Sequence, residues 1–179
     1  MKTLSYFLTV AAFASVTFSS CKKDSTPTPA PTPTVATSMK LTSNGTAVSF
    51  DYCEQFTVVT NGVTQTLFIA NNVTNGKVSD DQFEVDVMDD LSTFKAGQTY
   101  PMASSFMQKG GAALFYNTNA TDSFNTQPAA PVGSVTITEI TATTISGTFS
   151  GTLYAGDDFS VIHPIYTITN GSFTAKINK

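Results

Sequence analysis

The chain has 179 residues and a formal charge of −4 at pH 7, with 41% hydrophobic and 12% charged residues. The hydrophobic share is that of a globular protein, whereas the charged share is about half the usual quarter. The sequence contains no arginine. Because proteins that bind nucleic acid need basic clusters, often of arginine, we expect no nucleic-acid partner.

Residues 1–20 have the pattern of a secretory signal peptide. Met1-Lys2 gives a positive start, the run LSYFLTVAAFASVTF is apolar, and two serines precede Cys21. This order of features is typical of a signal that is cleaved during export. The apolar run is shorter than the ~20 residues that a membrane-spanning helix needs.

The stretch Phe18-Ser19-Ser20-Cys21 resembles a bacterial lipoprotein signal of the looser form found in Bacteroidetes. The resemblance implies that Cys21 carries fatty-acid chains such as palmitate, becomes the new N-terminus and anchors the protein to the outer membrane. Several acyl chains on one residue give stable anchoring, so the membrane is the first expected partner. Residues 22–24, Lys-Lys-Asp, resemble the signal that sends some of these lipoproteins to the cell surface.

A tether follows the anchor. Residues 21–37 comprise the acylated cysteine and a segment in which proline alternates with threonine or alanine. Proline fixes φ and removes backbone donors, which favours an extended polyproline II conformation. We predict that the tether holds one all-β domain, residues 38–179, clear of the lipid headgroups.

Cys53 is the second of two cysteines. If Cys21 is acylated, Cys53 has no partner within the chain, so the domain must fold without a disulfide. We predict that Cys53 is a small buried hydrophobic residue.

Asn-Gly pairs provide the turn signals, because a type I′ turn needs positive φ at both central residues. Three pairs, at 44–45, 61–62 and 170–171, lie between alternating segments and predict hairpins. The pair at 75–76 has poor alternation around it and predicts a loop. The predicted C-terminal hairpin places five side chains on one face: Tyr166, Ile168, Phe173, Ala175 and Ile177.

Period-two alternation marks further strands at 83–87, 135–138 and 143–155. The longest of these points Gly147 and Gly151 inward, which suggests a bend or close approach of another strand. No segment has a sustained helical period. We therefore predict an all-β fold, an antiparallel β-sandwich of about nine or ten short strands, with a closed or partly open β-barrel as the alternative.

The C-terminal third resembles a known family. The segments GSVTITEI, TTISGTFSGTLY and YTITNGSFTAKI, within 133–178, are similar to the closing strands of a family of uncharacterised Bacteroidetes lipoproteins, a domain of unknown function. Gly97-Gln98-Thr99-Tyr100 is similar to the family's mid-domain Gly-x-Tyr step. These are packing and turn residues, so the resemblance implies no catalytic residue.

The segment 91–111 is long for a hairpin connection and contains the candidate binding-loop residues Phe94, Tyr100 and Phe106. Long loops in compact domains are often functional, and exposed aromatic rings contact sugars or partner proteins. The alternative is that Tyr100 and Met102 begin another strand while the rest of the segment covers the core.

No residue pattern points to catalysis. The single histidine, His163, precedes a proline and is expected to be polar surface. Acidic doublets at 80–81, 89–90 and 157–158 offer oxygens of the kind that Ca²⁺ prefers, but they fit solvated turn residues better. We therefore predict no catalytic residue, no metal site and no cofactor.

Three functions from different classes remain open. The leading hypothesis is a lipid-anchored envelope or cell-surface lipoprotein with a non-enzymatic binding domain for a glycan or an envelope protein. The alternative is a structural or assembly component that docks on another envelope protein through a strand edge. A hydrolase comes third, since it would need two carboxylates facing each other in a cleft.

Overall fold

In a computed structural model, the described residues are 36–105, 107–118, 122–155 and 164–178. The predicted signal peptide, Cys21 and the tether up to residue 35 lie outside them. Eleven strands and one short 3₁₀ helix (Leu91–Thr93) make up the described part, which confirms the all-β prediction. The strands are β1 (Ser38–Ser43), β2 (Thr46–Phe50), β3 (Tyr52–Thr60), β4 (Val63–Thr74), β5 (Lys77–Val87), β6 (Thr99–Pro101), β7 (Ala112–Asn117), β8 (Ser123–Asn125), β9 (Gly133–Ile140), β10 (Thr144–Ala155) and β11 (Pro164–Lys176).

The strands form one mostly antiparallel sheet in the order β2-β1-β11-β3-β4-β5-β7-β8-β10-β9-β6, with an additional β10–β11 pairing. The link between β11 and β3 is a single parallel pair, Lys176 with Glu54. The link between β10 and β8 is also brief, whereas β10 and β11 pair along nearly their whole length. The sheet thus divides into a six-stranded layer, β2-β1-β11-β10-β9-β6, and a five-stranded layer, β3-β4-β5-β7-β8. This arrangement is not a clean barrel, and it agrees both with the predicted sandwich, its two layers joined at two corners, and with the alternative of a partly open barrel.

Aromatic rings from the two layers meet in the core. The rings of Phe68 on β4 and Phe173 on β11 stack with centroids 4.4 Å apart. The rings of Phe83 on β5 and Phe149 on β10 stack at 5.4 Å. Stacked rings bury large apolar areas, so these two ring pairs stabilise the contact between the layers.

The two inward glycines of β10 mark close approaches, as predicted. A Cβ added to Gly147 would lie 2.6 Å from the Phe173 ring, and one added to Gly151 would lie 2.8 Å from Leu114 Cδ1. Both positions therefore need glycine so that core side chains can reach the β10 backbone.

Two of the predicted hairpins are confirmed in turn and in register. Asn44 and Asn61 have φ of 47° and 51°, and the glycines that follow them also have positive φ. Met39 pairs with Phe50 across the first turn. Phe56 pairs with Leu67 across the second.

The predicted loop at residues 75–76 is wrong, because these residues form the turn of the β4–β5 hairpin. Asn75 and Gly76 have φ of 53° and 74°, and Thr74 pairs with Lys77 across them. The alternation fails here because the register shifts between Asn71 and Val73. The tip also stands away from the core, where side chains on both faces meet solvent.

The predicted C-terminal hairpin is also wrong. Residues 170–171 lie inside the continuous strand β11, which pairs with β10 on one edge and with β1 on the other. The register shifts against both neighbours at this point, so the residues form a β-bulge, with φ of 51° at Asn170. The predicted inner face is correct, because a bulge also brings Ile168 and Phe173 to one side, and both are buried.

Cys53 is a fully buried free thiol, as predicted. Burial, followed by the charge of Glu54, raises the pKa of the thiol to about 12. A thiol with such a pKa remains protonated at neutral pH, so Cys53 acts as a packing residue.

Candidate functional site

Two of the three aromatic rings of the predicted binding loop, those of Phe94 and Tyr100, are buried. Phe94 and Tyr100 are 7% and 2% exposed, and their ring centroids lie 5.3 Å apart in the core. Tyr100 lies on β6, so the second interpretation of this segment, a further strand that covers the core, describes it better. Phe106 lies outside the described residues.

The two acidic doublets within the described residues lie on different elements. Asp80 and Asp81 are exposed on β5. Asp90 caps the 3₁₀ helix by accepting a hydrogen bond from Ser92 N at 2.8 Å. The side chain of Ser92, followed by this backbone N–H, lowers the pKa of the Asp90 carboxyl group by hydrogen bonding. The third doublet, 157–158, and His163 lie outside the described residues. Within the described ranges, no group of three or more His, Cys, Asp or Glu side chains is arranged to hold a metal ion.

The outer face of the five-stranded layer carries a different candidate. Adjacent residues in the ladder share a face, so Phe56, Leu67, Asp86 and Ala113 form one row across β3, β4, β5 and β7. The side chains of Phe56 and Val58 are 41% and 40% exposed. We call this surface the apolar face after its large apolar residues, Tyr52, Phe56, Val58, Leu67, Ile69 and Phe115. Glu54 and Glu84 lie on the same face, in one row with Ile69 and Phe115.

A small cavity opens at one end of the apolar face. Its volume is about 110 Å³, and its lining combines apolar side chains with Gln65, Asp86 and Asn125. We call it the Asp86 pocket. It is smaller than the ~300 Å³ typical of pockets for drug-sized ligands, so it fits one side chain or one small chemical group.

The loop 103–111 forms one wall of the pocket and is fixed to the sheet by backbone hydrogen bonds. Ala103 N donates to Ala112 O at 2.8 Å, and Gly110 N donates to Met88 O at 2.9 Å. The Gln108 side chain accepts from both Ser104 N and Ser104 Oγ, at 2.8 and 2.9 Å. The wall is therefore held in place before any ligand arrives, which reduces the entropy cost of binding.

Asp86 is the polar group at the base of the pocket. Its side chain is 5% exposed, and its Oδ1 has no hydrogen-bond partner within the described structure. Burial, followed by the charge and hydrogen bond of Glu84, raises the pKa of Asp86 to about 9. The raised pKa favours the protonated, neutral form of the Asp86 carboxyl group in the pocket.

The Glu84–Asp86 contact bears on the hydrolase alternative. Glycosidases keep their two carboxyl groups at least ~5 Å apart, because a sugar carbon or a water molecule must fit between them. Glu84 and Asp86 stand two residues apart on the same face of β5, and Glu84 raises the pKa of Asp86 through its charge and a hydrogen bond. The pair is suited to sharing a proton and to binding a hydrogen-bonding group, and it gives the hydrolase alternative no support.

Asp86→Asn is expected to stabilise the domain above neutral pH and to flatten its pH dependence. The folded-state pKa of Asp86 lies above its unfolded value of 3.8. Because the folded protein binds this proton more tightly, protonated Asp86 stabilises the fold. This contribution to the free energy of unfolding is complete below pH ~4 and is lost as the pH rises toward ~9. Urea unfolding between pH 5 and pH 8 should show the wild-type free energy of unfolding falling by about 3–4 kcal/mol more than that of the variant.

The matched control is Asp81→Asn, which neutralises an exposed carboxylate on the same strand. This variant should keep the wild-type slope of stability against pH. An Asp86→Asn profile that runs parallel to the wild-type profile would show that Asp86 is ionised in the folded protein.

One feature of the sequence could have indicated this site, a continuous apolar run within a strand. Residues 67–70 of β4, Leu-Phe-Ile-Ala, are continuously apolar, so both faces of this strand carry apolar side chains. Such a run is typical of a strand covered on both sides. In this protein the inner face of β4 is buried in the core, whereas Leu67 and Ile69 on its outer face are only partly buried and form part of the apolar face.

No helix within the described residues has the length and apolar character needed to cross a membrane. Comparisons with protein-family models, with curated proteins and with solved structures each give no match for this chain. The function is therefore inferred from the sequence and from the geometry of the apolar face and the Asp86 pocket.

Proposed function

We propose that this chain is a lipid-anchored lipoprotein of the bacterial outer membrane, displayed at the cell surface, with a non-enzymatic binding domain. Its closing strands, 133–178, group it with the uncharacterised Bacteroidetes lipoproteins that they resemble. The anchor is the lipid on Cys21, and the tether links it to the domain. Support for the anchor comes from the order of signal, cysteine and Pro/Thr-rich segment.

The observation that supports binding is the apolar face with the Asp86 pocket at its end. Soluble proteins rarely leave large apolar patches exposed unless the patch contacts a partner. A buried polar group beside such a patch gives specificity, because a partner must satisfy its free hydrogen-bonding capacity. The binding partner is an envelope protein or a glycan that inserts one group into the pocket.

Cys21→Ser is expected to abolish lipid attachment. Cells expressing the wild-type chain should incorporate a fatty-acid analogue into the protein, whereas the variant should show background labelling and leave the membrane fraction. Persistent labelling of the variant would rule out Cys21 as the anchor.

Ala113→Leu is expected to reduce partner binding by about tenfold or more, because the added carbons fill a pocket that accepts one group. Ala113 lies in the lining of the pocket and is 8% exposed. The measurement combines a glycan array with a pull-down from envelope extracts, in which each captured species is compared between variant and wild type.

Thr148→Ala is the control, since Thr148 is exposed on β10 in the opposite layer. It should bind as the wild type does. Equal capture by Ala113→Leu and wild type would place the binding site elsewhere on the domain.

The second candidate, an assembly role through a strand edge, also has one observation in its favour. The edge of β3 is open over residues 56–60, all of which have exposed side chains. An open strand edge of uncharged residues is a template for pairing with another chain.

A further inference from the structure

The open edge of β3 is the most apolar unprotected edge among the described strands. Phe56, Val58 and Val59 are 41%, 40% and 67% exposed. No charged residue occurs between positions 54 and 77 of the chain. The other two outer edges are better protected, because the exposed side chains of β2 are the small residues Thr46, Ala47 and Ser49 and β6 has three residues, one of them proline.

The hairpin register shows which backbone groups of β3 are free. Thr60 and Val63 flank the two-residue turn and pair across it, so they exchange hydrogen bonds. Alternate residues, Val58 and Phe56, then also point their backbone groups toward β4. Thr57 and Val59 must point theirs outward, where no hydrogen bond from the described part of the chain reaches them.

The free part of the β3 edge begins after Gln55, the last residue of this edge with partners in the same chain. Gln55 is the next outward residue, and its carbonyl oxygen accepts a hydrogen bond from Asn178 Nδ2 at 2.9 Å. Glu54 pairs with Lys176 of β11. The free edge therefore comprises the N–H and C=O groups of Thr57 and Val59, four groups in total.

We propose that this edge pairs with β3 of a second copy of the chain, antiparallel, with a twofold axis at Val58. In this register Thr57 of each copy lies opposite Val59 of the other, so all four free groups of each copy find partners. The strand is its own complement, which is the requirement for a twofold interface. No like charges meet, because the paired segments, residues 56–60 of each copy, are uncharged.

The pairing joins the two five-stranded layers into one continuous sheet. Phe56 and Val58 lie at the junction, so the apolar faces of the two copies become one surface with an Asp86 pocket on each side. A five-residue edge buries less than the ~800 Å² per partner of a standard interface, so association in solution is weak. Anchoring both copies to one membrane, as in the proposed function, would raise their effective concentration.

Cysteine cross-linking tests the register directly. Residues 34–179 form one compact unit that contains the whole buried core, so this segment is used. Its only cysteine is the buried Cys53. Val58→Cys places two thiols in a pair that is not hydrogen-bonded, with Cα atoms ~4.5 Å apart, which is within disulfide range. Oxidised glutathione should convert this variant to a covalent dimer.

Val59→Cys is the matched control. Its thiol would lie opposite Thr57 of the second copy, and the two introduced thiols would be separated by two residues along the strands, beyond the ~7 Å limit. We expect Val58→Cys to cross-link at least about tenfold faster than Val59→Cys. Equal rates, or no dimer from Val58→Cys, would overturn the proposal.

A proline variant tests the backbone hydrogen bonds. Val59→Pro removes a donor that points outward and leaves the β3–β4 ladder intact, so the melting temperature should change little. Added to Val58→Cys, it should reduce cross-linking to the rate of Val59→Cys. Unreduced cross-linking of the folded double variant would show that the strands do not pair in this way. Because the proposal concerns residues 57–59 alone, a failed Ala113→Leu binding test would leave its outcome unaffected.

Discussion

Phe173→Ala is expected to cost about 3–5 kcal/mol of folding free energy, the typical loss for a buried phenylalanine. Phe173 is 3% exposed, stacks on Phe68 at 4.4 Å and lies 6.4 Å from Phe149. Its removal opens a cavity at the point where the two layers meet. Since a domain of this size has only about 5–15 kcal/mol of stability, the urea midpoint should fall visibly.

The matched control for Phe173→Ala is the neighbouring substitution Thr174→Ala. Thr174 points to the other face of β11, where its hydroxyl group lies 3.0 Å from Ser146 Oγ. Loss of one partly exposed hydrogen bond should cost about 1 kcal/mol or less. Equal damage from the two substitutions would mean that the inner and outer faces of β11 have been exchanged.

Gly171→Val is expected to cost about 3 kcal/mol or more, the upper end of what overpacking usually costs. A Cβ at this position would lie 2.5 Å from two atoms of the Phe149 ring and 2.6 Å from Phe149 O. The ring can move only by displacing the core, and the carbonyl oxygen belongs to the β10–β11 ladder. Thermal and urea unfolding of the variant would measure the loss.

Asn170→Gly provides the comparison, because Asn170 is the bulge residue with positive φ and glycine adopts that conformation freely. It should change the stability by less than about 1 kcal/mol. A Gly171→Val variant as stable as Asn170→Gly would show that β10 and β11 do not approach as closely as described.

The Asn-Gly pair at 170–171 shows what a local pattern leaves undecided. A two-residue turn and a β-bulge both place Ile168 and Phe173 on one face, so burial agrees equally with either. The choice depends on the partners: β1 and β10 hold β11 straight on both edges. The pairing of β11 with both of these strands is a tertiary contact, and the residues around 170–171 do not predict it.

The burial of Asp86 could not be predicted from the sequence for a related reason. Alternation correctly predicted that Phe83, Val85 and Val87 point inward, and therefore that Asp86 points outward. An outward aspartate is normally solvated. Asp86 is buried because the loop 103–111 and the residues after β8 fold across it, and these contacts are non-local. Phe94 and Tyr100 show the opposite case, since these rings of a long segment complete the core.

The position of β11 between β1 and β10 has a consequence for how the chain acquires its structure. Ser38 pairs with Thr174, so two strands of one layer are separated by most of the sequence. The six-stranded layer cannot assemble until β11 has been synthesised, and pairings this distant in sequence form slowly. During that interval the chain has no complete core. If the chain is exported, this delay would leave it unfolded while it crosses the inner membrane.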